Sequence, residues 1–302
     1  MPEFDRSDPV TVAVRLPRGK VDIHAEDRAT VAADVVPLDG SDASRQAAAD
    51  TVVALEGDTL VIRAPETSLW NWRRSGKLGV TVRVPRDSSI ATKAASADLR
   101  ATGRFAQAQI DLASGDVRID DVTGNADLEA ASGDLAVDRV GGSLRIKSSS
   151  GDLAIGDVTG DVSAETASGD IEIGGVGGSV RAETASGEIQ IGVIRRGEAR
   201  LRSASGDVRV GVAAGTGVWL DVSTASGSTR NELSMNAGGG EAQASLQLRI
   251  RTASGDIRIC RAGTSPFPDV PVPPSTAPRS APSTAPPSAP PSGPSGSFSA
   301  AG

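Results

Sequence analysis

Short runs of alternating apolar and polar residues fill most of this chain, and they come in pairs. Val117 and Ile119, Leu135 and Val137, Leu153 and Ile155, Ile171 and Ile173, and Ile189 and Ile191 each bracket a polar or small residue. A second set, Leu144 and Ile146, Val162 and Ala164, Val180 and Ala182, falls midway between them. A period of two predicts β-strands with one face inward and one outward. The pairs return every 18 residues, in step with Ser-Gly-Asp at Ser114, Ser132, Ser150 and Ser168 and with Ser186-Gly187-Glu188. Glycines nine apart, from Gly115 through Gly124, Gly133 and Gly142 to Gly187, punctuate the runs. Turns this short need positive φ, which glycine takes freely. Two strands and two turns close one flattened coil, and a fixed short period means stacked coils. Val122, Val140, Val158 and Val176 anchor one corner, while small residues (Ala131, Ser149, Ala167, Ala185) crowd the other. The predicted fold is all-β: a single-stranded parallel β-solenoid, β-helix or β-roll-like, of about 18 residues per coil. It is right-handed, the default for parallel crossovers. Stacking at about 4.8 Å per coil makes the repeats a rod roughly 40 Å long.

Outside this register the pattern changes. Val10, Val12, Val14 and Leu16 alternate, Pro17-Arg18-Gly19 makes a turn, and Val21 and Ile23 resume the alternation. Residues 31–36, 60–62 and 80–84 add further strands. Asp42–Asp50, rich in Ala and Gln, is the one predicted helix, with Ser41 as its N-cap. Residues 1–90 therefore read as a β-rich N-terminal cap, and residues 91–263 as the solenoid repeats. The Ser-Gly beat loosens to 19, 21 and 28 residues at Ser205, Ser226 and Ser254, and Gly238-Gly239-Gly240 marks an inserted loop. From residue 264 to 302 Pro, Ser and Ala dominate. Such a stretch buries too little to offset its ordering entropy and is expected to be a disordered tail.

Composition narrows the interior. Hydrophobic residues make up 38% but aromatics only 2%, with no tyrosine. The core must be built from Val, Ile, Leu and Ala, which suits a thin, layered coil. A net charge of −7 argues against a nucleic-acid groove or an anionic membrane surface as partner. No run of 18 apolar residues occurs, and Met1-Pro2-Glu3-Phe4-Asp5-Arg6 puts acid where a signal peptide needs base. The expectation is a cytoplasmic chain with no direct membrane insertion. Cys260 is the only cysteine, which excludes an internal disulfide.

Several constellations invite chemistry. Asp116, Asp134, Asp152, Asp170, Glu188 and Asp207 form an acidic ladder one coil apart. Calcium-binding β-rolls share the nonapeptide period. Each turn here offers one acid only, so each Asp is expected to accept hydrogen bonds from its own turn's amides. Outward positions carry mixed charge: Arg118, Glu172 and Arg209 on one face, Asp127, Arg145 and Arg181 on the other, with Glu129, Lys147, Glu165 and Glu183 nearby. They read as a solvated face or as a binding surface, since solenoids use flat faces that way. His24 is the only histidine and is expected at the surface, and Cys260 as a semi-buried structural thiol. Trp70 and Trp72 are either a plug over the first coil or an exposed contact loop. No phosphate loop, dinucleotide fingerprint or zinc spacing is present. No catalytic, cofactor-binding or metal residue is therefore assigned.

The strand motifs carry a resemblance. Arg18-Gly19-Lys20-Val21-Asp22-Ile23 follows an N-terminal strand, and Gly57-Asp58-Thr59-Leu60-Val61-Ile62 follows the short helix. Val82-Arg83-Val84-Pro85 then leads into the serial Ala-Ser-Gly-Asp units. In these features residues 4–260 resemble the bacterial β-strand-repeat putative adhesins, whose repeat domain is also called a toast-rack. The resemblance implies a parallel β-helix-like fold, no catalytic residues, adhesion by analogy, and relatives linked to envelope-stress membrane proteins. The leading functional reading is a non-enzymatic binding or scaffolding module of unknown protein or surface ligand. It would be a monomer or a dimer joined through its C-terminal end. One alternative is a self-assembling structural protein similar to bactofilins. Another, a polysaccharide-active β-helix enzyme, would need clustered carboxylates and aromatic sugar platforms.

Overall fold

The computed structural model describes residues 2–65, 76–233 and 245–263. The expected tail, Trp70 and Trp72 (read as a plug or a contact loop), and the loop at Gly238-Gly239-Gly240 lie outside them. The chain opens with β1 (Glu3–Asp5), β2 (Thr11–Glu26), β3 (Thr30–Pro37), α1 (Asp42–Asp50), β4 (Val52–Glu56), β5 (Thr59–Arg63), β6 (Leu78–Pro85) and β7 (Ser88–Ser114). The repeats follow as β8 (Val117–Val122), β9 (Ala126–Ser132), β10 (Leu135–Val140), β11 (Leu144–Ser150), β12 (Leu153–Val158) and β13 (Val162–Ser168). Next come β14 (Ile171–Val176), β15 (Val180–Ser186), β16 (Ile189–Ile194), β17 (Gly197–Ser205) and β18 (Val208–Val212). The chain ends with β19 (Val218–Ser226), β20 (Thr229–Asn231), β21 (Leu246–Ser254) and β22 (Ile257–Arg261).

The coils stack in parallel with the register that the alternation predicts. Leu135 faces Val117 and Leu153, and Ile155 faces Ile173. We call the side built from β8, β10, β12, β14, β16 and β18 sheet I, and the side built from β9, β11, β13, β15 and β17 sheet II. β2 and β7 are long enough to run through both. Val12 pairs with Ile90 on sheet II, and Val21 pairs with Leu99 on sheet I. β7 continues to Val117 of β8 and Ala126 of β9. Every predicted inward residue from Val117 to Ile191 is buried, as is the corner row Val122, Val140, Val158 and Val176. This aliphatic column is the core, and its largest fully buried side chain is Phe105.

The first coil is closed off. β4 pairs antiparallel with β5, β3 antiparallel with β6, and β1 antiparallel with β3. The helix forms as predicted. Ser41 Oγ accepts from Ser44 N at 3.1 Å, and Lys77 N bonds to the buried Ser44 hydroxyl at 2.9 Å. The hydroxyl and amide of Ser41 also bond to Asp39, the hydroxyl bond being the main reason that its pKa is lowered to about 2.

The far end departs from simple stacking. β21 pairs with β17 on one side and β19 on the other, and β22 lies between β18 and β20. The coil that comes last in sequence is thus threaded into the penultimate place. The outermost strands at this end are therefore β19 and β20, not the last strands in sequence. Composition explains the exchange. The inserted coil points Leu246, Leu248, Ile250, Ile257 and Ile259 inward, all 0–1% exposed. The outer coil places Thr229 and Asn231 at the inward positions facing Ile257 and Ile259. The apolar coil takes the covered slot and the partly polar coil faces water, where it costs least.

Candidate functional site

The buried polar residues described are all Ser or Thr, and the charged side chains lie on the outer faces and corners. At the Ser-Gly-Asp corner the carboxylates are engaged with the neighbouring coil. Asp116 Oδ1 accepts from Asp134 N at 3.1 Å, Asp134 from Asp152 N at 2.9 Å, and Asp152 from Asp170 N at 2.9 Å. This corrects the expectation that each Asp serves its own turn. A tight turn in a parallel stack leaves its amide pointing along the stack axis, where the previous coil's side chain reaches it. The ladder changes at Glu188, which is one methylene longer and pairs with Arg209 instead. It resumes from Asp207 to Asp256 N at 2.9 Å. At its end, the amide and hydroxyl of Ser228 hold the Asp256 carboxyl below its usual range. The opposite corner has its own ladder, from Asn125 Oδ1 to Ser143 N at 2.9 Å and Asp161 Oδ1 to Ser179 N at 2.7 Å. Its signal was a polar residue just after each midpoint glycine.

The small residues are placed differently from the expectation. Ala131, Ser149, Ala167 and Ala185 are exposed on the outside of sheet II. Strict alternation puts Ser148, Thr166 and Thr184 inward at that corner, and they are buried. Their hydroxyls donate to turn carbonyls, as Thr166 does to Ser168 O at 3.2 Å. Because the exposed column is so small, the charged column two residues earlier stands above it as a wall. The result is a groove across the coils. Its N-terminal stretch encloses about 560 Å³, and a further stretch beginning at Glu129 encloses about 640 Å³.

Register sets the charges along this wall. Arg63 pairs with Arg15 and Arg15 with Lys93 across β5, β2 and β7. Asp111 and Glu129 follow, then Lys147, Glu165 and Glu183. Lys93 bonds Asp111 at 2.6 Å and Lys147 bonds Glu165 at 2.8 Å. The Lys147 ammonium holds the Glu165 carboxyl below its usual range. Arg15 and Arg63 make no ion pair among the described residues.

The remaining sequence candidates lie outside this groove. His24 lies on sheet I with Nδ1 2.6 Å from Thr102 Oγ1. Cys260 is buried, and burial pushes its thiol pKa up. Among the described residues no cluster of His, Cys, Asp or Glu is placed to hold a metal ion. Nor is any helix among them long and apolar enough to cross a membrane.

A stack of near-identical coils with its chemistry confined to the outer faces defines a β-solenoid repeat module. Residues 13–260 match the model of the Toastrack DUF4097 family, and the chain belongs to that family. It is similar to a "putative adhesin" of Bacteroides fragilis at 11% identity, over 85% of this chain and 95% of that one, with a TM-score of 0.40. A "putative adhesin" of Parabacteroides distasonis is similar at 11% identity over 85% and 95%, with a TM-score of 0.37. A "putative lipid binding protein" of the same species is similar at 12% identity over 85% and 95%, with a TM-score of 0.35. No curated protein matches the chain.

Proposed function

We propose that the protein is a non-enzymatic binding module whose working surface is the outer face of sheet II. The observation that supports this most is the groove. Stacking in fixed register turns single small and charged residues into open grooves with a charged wall, held on strands rather than loops. A surface so placed presents ligand contacts at low ordering cost. On sheet I the outward charges are interrupted, because Ala136 and Ala154 stand between Arg118 and Glu172 in the same column.

An end-to-end filament fits less well, since antiparallel strands cover the first coil. A monomer, or a dimer through β19 and β20, is the assembly this reading favours. The test is native mass spectrometry of the full chain purified from cells that express it, beside Ala131→Trp, which fills the groove from an exposed position. The wild type should carry a bound mass that the variant has lost. Identical spectra for the two folded proteins would remove the groove from the account.

A further inference from the structure

We propose that the N-terminal stretch of this groove holds a single-chain anionic amphiphile, a long-chain carboxylate, with its head on Arg15 and Arg63. The proposal rests on the binding-face reading and adds the ligand class. Arg15 and Arg63 are directly opposed on adjacent parallel strands, both exposed, with no acidic partner among the described residues. Like charges facing each other across strands repel. A carboxylate between the two guanidinium groups would turn that repulsion into charge-assisted hydrogen bonds. The next cation in the row, Lys93, is already taken by Asp111.

Beyond the arginines the floor of the groove is apolar. Pro17, Ala95, Ala113 and Ala131 form its floor from their outward positions, over the buried Leu16, Ala94 and Leu112 of the core. Along this floor a hydrocarbon loses nothing, whereas a peptide would find partners for its amides only on the charged wall. The wall charges also fix direction. Asp111 and Glu129 flank the far part and repel a second anion, so one head at the arginine end is accommodated. From the coil of Arg15 to that of Ser149 is four steps, about 19 Å at the usual strand spacing, which suits a long acyl chain.

Equilibrium dialysis with palmitate below its aggregation concentration tests this on the full chain. Hexadecanol serves as the headless control, and a short peptide ending in a free carboxylate as the rival. Palmitate should bind one to one, and Arg15→Gln and Arg63→Gln should each weaken it by about tenfold. Hexadecanol should bind wild type no better than palmitate binds the double variant. Ala113→Trp should abolish both, with circular dichroism unchanged. Palmitate affinity indifferent to both arginines, or a peptide that binds more tightly, would overturn the proposal. If palmitate fails to bind while Ala131→Trp still strips a ligand retained from cells, the ligand class is wrong and the binding face stands. If neither effect is seen, both fall.

Discussion

A short side chain reaching one coil along is the smallest unit of this structure. Asp116, Asp134 and Asp152 each give an oxygen to an amide 18 residues later. That amide belongs to a turn whose glycine sits at positive φ, 122° at Gly133 and 129° at Gly151. The conformation and the acceptor belong together: positive φ turns the amide along the stack, and the carboxylate meets it. Asp134→Asn keeps an acceptor in place and should be nearly silent. Asp134→Ala leaves the Asp152 amide to water and should cost about 1 kcal/mol, read as a lower urea midpoint at unchanged slope. Equal losses for Asn and Ala would mean that the carboxylate's charge, not its hydrogen bond, matters. The repeat showed where these acids lie. It could not show which coil they serve, because the reach of a side chain across coils depends on the turn's backbone angles.

At the scale of elements, alternation was sufficient wherever neighbours in sequence are neighbours in space. From β8 to β16 the strands, their register and their inward residues follow from period two and the 18-residue beat. The helix follows from Ser41 and its Ala-rich run. What sequence could not show is partner choice. β1 and β4 are short edge strands that pair antiparallel and carry no repeat signal. The threading of β21 and β22 between older coils is decided by competition for the covered slot, which compares two distant segments. It predicts an order of amide exchange against the order of sequence. β19 and β20, as edges, should exchange fast, while β21 and β22 should be protected like β17 and β18. Protection that falls from β19 to β22 would mean sequential stacking, contrary to the pairings.

At the scale of the whole molecule, the described chain is a closed aliphatic column whose variable chemistry faces outward. Membership of the Toastrack DUF4097 family was legible in Arg18-Gly19-Lys20-Val21-Asp22-Ile23 and the Ser-Gly-Asp units. The groove was not. Its wall joins Arg15, Arg63 and Lys93, which lie far apart in sequence and meet only because β2 is shared by β5 and β7. Its low side depends on Ala131 and its equivalents pointing outward, whereas their size suggested a crowded corner. The central claim is that this face of sheet II, and not sheet I, engages the ligand. Site-specific photocrosslinking inside living cells tests it directly, with benzoylphenylalanine placed at Ala131 in the groove or at the exposed Ala154 on sheet I. The account predicts a discrete adduct from position 131 and none from 154. Adducts from 154 alone, or equal adducts from both, would contradict it.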